Sequence, residues 1–303
     1  MSLAPGITVS CPVALKLLPD KVVDPGMSSL QLFRGVSDLA SYVVTVGNLK
    51  DPAKVETSEL FSASFMGLAE GVSPDKHAKF LGIRDILLRG WPGFASTMKT
   101  SEGLEFATHT FRIQDRLIEV SCVYPSGLRP SSADTFLASL QVAADGPQKK
   151  PGPELERYPL GDSGLTALFT RKPETHSSEI GRADMAATMY TFASDYVARS
   201  FEVAYSDLSP KVPDDANSLK TVREFVTDDS IHSLHAKKGK QTEVTIDGDP
   251  GLRTEFTLGD AFEGVLLAYL HGRRMIILME FAPPCYADPD RVEAFLGSVQ
   301  SKP

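Results

Sequence analysis

Side chains able to do chemistry are few in this chain, and they stand far apart. Its six histidines are His77, His109, His176, His232, His235 and His271. His232 and His235 are three residues apart, a spacing that lets both imidazoles face one metal from a helix, with Asp228 or Asp229 one turn upstream as a third ligand. At a helix C-terminus the same pair has a plainer use, because imidazolium and the following Lys237-Lys238 complement the helix dipole. The first half of the chain has no equivalent pair, so the plainer reading is preferred and no metal is expected.

Glu280 lies in the apolar run Met275–Phe281. A carboxylate there can have a raised pKa and act as an acid. The ordinary alternatives are a place at the exposed strand end before Pro283-Pro284, or a pair with an arginine. Cys122 has no adjacent histidine or basic residue and reads as a small core residue rather than a nucleophile. Trp91, the single tryptophan, occupies a turn, where the ring either folds over the core or anchors a partner. Trp91, Glu280 and Cys122 are the candidate binding residues, and none is expected to be catalytic.

Several reaction classes have no foothold. There is no Walker-type phosphate loop, no GxGxxG opening a helix, no HExxH, no CxxC and no GxSxG elbow. No cofactor is expected. Cys11, Cys122 and Cys285 are too few and too scattered for a disulfide framework or a zinc site. With 31 basic and 39 acidic residues the net charge is −8 and the pI is near 5.3, which argues against nucleic acid or a polybasic membrane patch. No apolar run approaches the roughly 20 residues that span a bilayer, so no integral membrane segment is expected. The N-terminus lacks the basic and apolar regions of a secretory signal, and Thr8-Val9-Ser10 lacks the branched aliphatic residue of a lipoprotein cleavage site before Cys11. A cytoplasmic location is the default expectation, or an exported one if the chain is a trimmed mature form.

The elements that must position these residues occur twice. Gly90-Trp91-Pro92-Gly93 recurs as Gly248-Asp249-Pro250-Gly251, and Arg116 as Arg274, both 158 residues later. Tyr42–Leu49 matches Phe201–Leu208, and Phe136-Leu137 matches Phe295-Leu296, both at 159. Four landmarks in one order indicate a tandem duplication. The join is the Pro- and Gly-rich stretch from Asp145 to Pro153, which reads as a linker between domains at 1–145 and 154–303. All the excess acid is in the second half: residues 1–150 carry 15 basic and 15 acidic side chains, and residues 151–303 carry 16 and 24.

Within each copy the hydrophobic period changes in a fixed order. Phe201, Val203 and Tyr205 alternate as in a half-buried strand. Leu219, Val222, Phe225 and Val226 follow helical spacing and predict a helix over about 216–232, with a counterpart near 58–70. Short strands at Glu243–Ile246 and Asp85–Leu88 end at the Gly-x-Pro-Gly turns. Hairpins follow at 104–113 with 116–124, and at 261–271 with 274–282. Each copy closes with a helix. Ser131 caps the stripe Ala133, Phe136, Leu137 and Leu140; Asp288, before Pro289, caps the stripe Val292, Phe295, Leu296 and Val299. The class is α+β: two tandem homologous domains, each an antiparallel sheet flanked by helices.

These segments resemble the PsbP-like superfamily, which includes the photosystem II extrinsic protein P, a Ran-binding nuclear import factor, and LpqN-type and DcrB-type bacterial proteins. The resemblance rests on Tyr42–Leu49, Gly90–Gly93, Arg116–Val120 and Phe136–Ser139, with Phe201–Leu208, Gly248–Gly251, Arg274–Leu278 and Phe295–Ser298 in the second copy. It implies sheets flanked by helices and roles in binding or assembly. The pattern is structural and carries over no functional residue.

The expected function is therefore non-catalytic: an accessory or chaperone-like protein that binds another protein. The alternatives are a carrier of a small apolar ligand between sheet and helices and, last, an enzyme with an unrecognised site. The two domains are expected to pack as a pseudo-symmetric pair, as when a dimer is fused.

Overall fold

The computed structural model describes residues 1–18, 27–72, 79–180 and 187–301, and divides into two compact units, Met1–Pro153 and Glu154–Pro303. In the first unit the strands are β1 (Ser2–Ala4), β2 (Ile7–Thr8), β3 (Lys16–Leu18), β4 (Met27–Val36), β5 (Ser41–Leu49), β6 (Lys79–Leu88), β7 (Trp91–Lys99), β8 (Leu104–Ile113), β9 (Arg116–Pro125) and β10 (Gln141–Val142). Helix α1 (Thr57–Val72) follows β5, and α2 (Ser131–Leu137) follows β9. The second unit has β11 (Glu156–Pro159), β12 (Leu165–Phe169), β13 (Glu174–Ile180), β14 (Ala187–Tyr196), β15 (Arg199–Asp207), α3 (Ala216–Ser233), β16 (Lys237–Ile246), β17 (Asp249–Leu258), β18 (Phe262–His271), β19 (Arg274–Ala282), α4 (Pro289–Leu296) and β20 (Gln300–Ser301).

Each unit has one seven-stranded antiparallel sheet and one small three-stranded sheet. The large sheets run β3-β4-β5-β9-β8-β7-β6 and β13-β14-β15-β19-β18-β17-β16. Strands β16 to β19 each begin 158 residues after β6 to β9. Central pairing is equivalent as well: Tyr42 stands opposite Cys122 as Phe201 does Glu280, and Asn48 opposite Arg116 as Asp207 does Arg274.

The landmarks recur because they hold the same bonds. Arg116 Nε donates to Asn48 Oδ1 at 3.0 Å, and Arg274 Nε to Asp207 Oδ1 at 2.7 Å. The Leu49 N–H donates to the Asp115 carbonyl, and the Leu208 N–H to the Arg273 carbonyl. At the two Gly-x-Pro-Gly sites the hairpin turns are Arg89-Gly90 and Asp247-Gly248, all four residues at positive φ, as a type I′ turn requires. The Trp91 position is thus corrected: the residue stands first in β7, beyond the turn.

Alternation along the central strands separates two cores. In β18, Leu266, Ala268 and Leu270 pack with Ile231 of α3, while Leu267 and Tyr269 join the core that holds Phe295 of α4. In the first unit Val44, Ile118 and Val120 pack with Phe136 of α2. Phe61 and Phe65 of α1 meet Phe94, with ring centroids 5.4 and 6.2 Å apart.

Four local expectations differ from the structure. The short strands at Asp85–Leu88 and Glu243–Ile246 are the ends of ten-residue strands. The missed part of β16, starting Lys-Lys-Gly-Lys, is exposed and polar, as suits a sheet edge protected against further pairing. Lys237-Lys238 therefore belong to a strand, not to a helix end. Ser131 is not a cap: the α2 N-cap is Pro130, which has no side-chain acceptor, whereas Asp288 does cap α4 by accepting from the Arg291 N–H at 3.2 Å. The Pro- and Gly-rich stretch after Asp145 begins inside the first unit, because the Gly146 and Gln148 N–H groups donate to the Arg89 and Gly90 carbonyls.

Candidate binding groove

The second unit's large sheet brings Glu280, Arg199 and the N-terminus of α4 together. Glu280 is on β19 with its side chain toward the α4 face, since its cross-strand partners Phe201 and Val265 belong to or pack on that core. Arg199 starts β15 and is 1% exposed; Glu280 is 4% exposed. Arg199 Nε lies 3.2 Å from Glu280 Oε1, and Arg199 Nη1 lies 3.9 Å from Asp288 Oδ2. The guanidinium lies 4.8 Å over the Tyr286 ring and donates through Nη2 to the Tyr286 carbonyl. Neither Nε nor Nη1 makes a hydrogen bond, and Glu280 accepts none among the described residues. The pair is held by charge and close packing.

Burial pushes the Glu280 carboxyl up to about 7, and the Asp288 charge adds to this, while Arg199 and Arg291 oppose it. Of the three readings of this residue, the raised pKa and the arginine partner occur together, and the exposed strand end is corrected, since Glu280 is buried. Glu280 opens into a groove of about 550 Å³ on the α4 face. Apolar contact is available from Val265, Pro283 and Val292. The start of the edge strand β16 forms one border, where a bulge lies between Lys238 and Gln241.

The first unit places other groups at the equivalent positions. Cys122 is fully buried where Glu280 stands, and burial pushes its thiol up to about 11, which keeps it protonated and unreactive at neutral pH. Ala40 takes the place of Arg199, and Pro130, the α2 N-cap preceded by Arg129, that of Asp288. Arg129 contacts the Tyr124 hydroxyl and the Asp134 carboxylate. Nearby on β8, burial and the Arg84 charge hold the His109 imidazole down at about 4.

Trp91 is half-buried against the first core, and its Nε1 donates to the Ala144 carbonyl at 3.0 Å. Trp91 and Cys122 belong to the first unit and Glu280 to the second, where Glu280 occupies the place equivalent to that of Cys122. His232 and His235 are both exposed. His235 stands at φ 53 just past α3; its N–H donates to the His232 carbonyl, and the Ala236 N–H to the Ile231 carbonyl. This is a Schellman helix end, so the close spacing serves termination. Among the described residues no group of three His, Cys, Asp or Glu side chains is placed to hold a metal ion. His77 lies outside the described residues.

Arg199 escaped the sequence reading. A signal was present in the offset between the units, where Ala40 and Cys122 of the first stand for Arg199 and Glu280 of the second.

No helix among the described residues is long and apolar enough to cross a membrane. No family model matches the chain, and no curated protein matches it. Among solved structures it is similar to the cyanobacterial PsbP of Synechocystis sp. PCC 6803, at 12% identity and a TM-score of 0.34, over 52% of this chain and 99% of that one. It is also similar to TplEi, an immunity protein of the T6SS of Pseudomonas aeruginosa, at 11% identity and a TM-score of 0.26, over 90% of this chain and 95% of that one. MucB in complex with MucA(peri) is similar at 9% identity and a TM-score of 0.23, over 91% of this chain and 88% of that one.

Proposed function

We propose that this chain is a non-catalytic accessory protein, built from two tandem copies of a PsbP-like domain, that binds another protein through the groove of its second unit. The tandem reading is supported by the common strand order and by the constant offset of the equivalent strands. The binding reading is carried by one observation: a groove of about 550 Å³ runs from a sheet edge to the start of α4, with apolar walls and charged side chains around them. A groove with apolar walls is suited to an extended segment, whose side chains can fill it. At its floor Glu280 stands 3.2 Å from Arg199, and among the described residues lining the groove there is no serine, cysteine or histidine.

A carrier of a small ligand is the second reading, favoured by the groove volume alone, which falls in the usual range for small molecules. The charged floor makes the groove a poor match for a purely apolar molecule.

Photo-crosslinking from Val292 in the groove, with Leu128 of the first unit as control, separates these readings in cells of the source organism. A discrete protein adduct from Val292 and none from Leu128 is expected. A gain of a few hundred daltons without a protein adduct would instead establish the carrier, and equal protein adducts from both positions would overturn the groove as the binding site.

A further inference from the structure

We propose that the groove of the second unit selects a segment bearing a lysine or arginine between apolar residues, the cation docking on Glu280; this rests on the groove being the protein-binding site.

Three features support the choice of cation. Glu280 is a carboxylate at the groove floor, 4% exposed, that accepts no hydrogen bond among the described residues. Its Oε1 stands 3.2 Å from Arg199 Nε without a hydrogen bond, so lone pairs remain for an incoming N–H donor. The charge of the lining also points the same way. Arg253 is held by Glu293 at 2.8 Å and Lys238 by Asp228 at 2.6 Å, so each is already neutralised. Glu280 and Asp288 are themselves paired with Arg199 and Arg291, which leaves Glu255 and Glu263 facing the groove against Lys237. Finally, Val265, Pro283 and Val292 provide apolar contact for the aliphatic stem of a long basic side chain and for its neighbours.

The groups that face Glu280 are Arg199 at the start of β15, Asp288 at the α4 cap and Arg291 in the first turn of α4. In the empty groove the carboxyl takes up a proton near neutrality. A bound ammonium favours the charged form, so binding releases that proton, and affinity rises with pH until Glu280 is ionised.

Extended fluorescent peptides Val-Xaa-Val, flanked by glycine and serine, test this on the full chain, with Xaa as lysine, arginine, glutamine, norleucine or glutamate. The lysine and arginine peptides are expected to bind at least about tenfold more tightly than norleucine or glutamine at about pH 8, with the margin shrinking toward about pH 5.5. The double substitution Arg199→Ala with Glu280→Cys puts the first unit's own residues in place and removes both charges together. It is expected to keep the fold by circular dichroism and to abolish the preference for lysine over norleucine. Equal binding of norleucine and lysine, or a preference for glutamate, would overturn the cation while leaving the groove as a binding site. If no peptide bound and Val292 also yielded no protein adduct, both proposals would fall; a protein adduct without peptide binding would overturn the cation alone.

Discussion

On one face of each large sheet, where the strand carrying Tyr42 or Phe201 pairs with its central neighbour, the two units solve the same packing problem with opposite chemistry. The first buries Cys122 with Ala40 and Pro130 at the positions around it, and the second buries Glu280 with Arg199 and Asp288. Apolar residues there would cost nothing to desolvate, and the first unit shows that the fold accepts them. A buried ion pair is commonly no more stabilising than apolar residues of similar size, because each charge must first leave water. The charged pair of the second unit is therefore not required by the fold, and it is found where the groove opens. Equivalent backbone with unequal side chains separates what the architecture needs from what differs between the units.

The largest expected effect is on stability when that pair is broken on one side. Glu280→Ala leaves Arg199 buried without its carboxylate and is expected to cost about 3 to 5 kcal/mol near pH 8. Hydrogen exchange should show the loss in β15 and β19 while the first unit keeps its protection. Cys122→Ala, the matching truncation, is expected to cost only about 1 kcal/mol. Equal costs would erase the distinction between the units.

The two units should also respond to pH in opposite directions. His109 titrates at about 4 in the fold and near 6.5 when unfolded, so unfolding takes up a proton between these values. The first unit should therefore lose up to about 3 kcal/mol as pH falls from 6.5 to 4, and His109→Leu should remove that loss. Glu280 behaves in reverse. Its folded pKa of about 7 lies above the unfolded value near 4.5, so unfolding releases a proton and the second unit loses a similar amount as pH rises through that window. Exchange protection followed by unit from pH 4 to 8 checks both slopes, and parallel slopes would break the contrast.

Smaller effects sharpen the local picture. Asp288→Ala removes the α4 cap, at about 1 kcal/mol, and takes away a charge that raises the Glu280 pKa. Carbon-13 titration of the Glu280 carboxyl should then give a lower value than in the parent chain; an unchanged value would separate Asp288 from the site. Trp91→Phe keeps the packing and loses the bond to Ala144, for about 1 kcal/mol in the first unit by denaturant unfolding. No loss would show that the indole N–H is equally well served by water.

Much of the architecture was legible in the sequence because its landmarks mark backbone necessities. Gly90 and Gly248 sit at positive φ, and Arg116 and Arg274 tie the same two strands together. The helices announced themselves through apolar spacing, and Asp288 through its place before Pro289. Edge strands did not, since the start of β16 is a polar run with no buried face to impose alternation. Of the candidate site, Glu280 was visible as a carboxylate in an apolar run, but its partner was not. Arg199 is brought to it only by the pairing of β15 with β19, a contact between residues 81 positions apart. Trp91 drew attention as a rare residue in a turn, and its role is to hold the chain at Ala144 against the first core.

The most direct test of binding through the second unit is hydrogen exchange on the full chain, alone and with the protein captured by crosslinking from Val292. The expected result is protection confined to the start of β16, to β17 and β18 around Glu255 and Val265, and to residues 283–293. Protection concentrated in the first unit, or none in these segments, would contradict it.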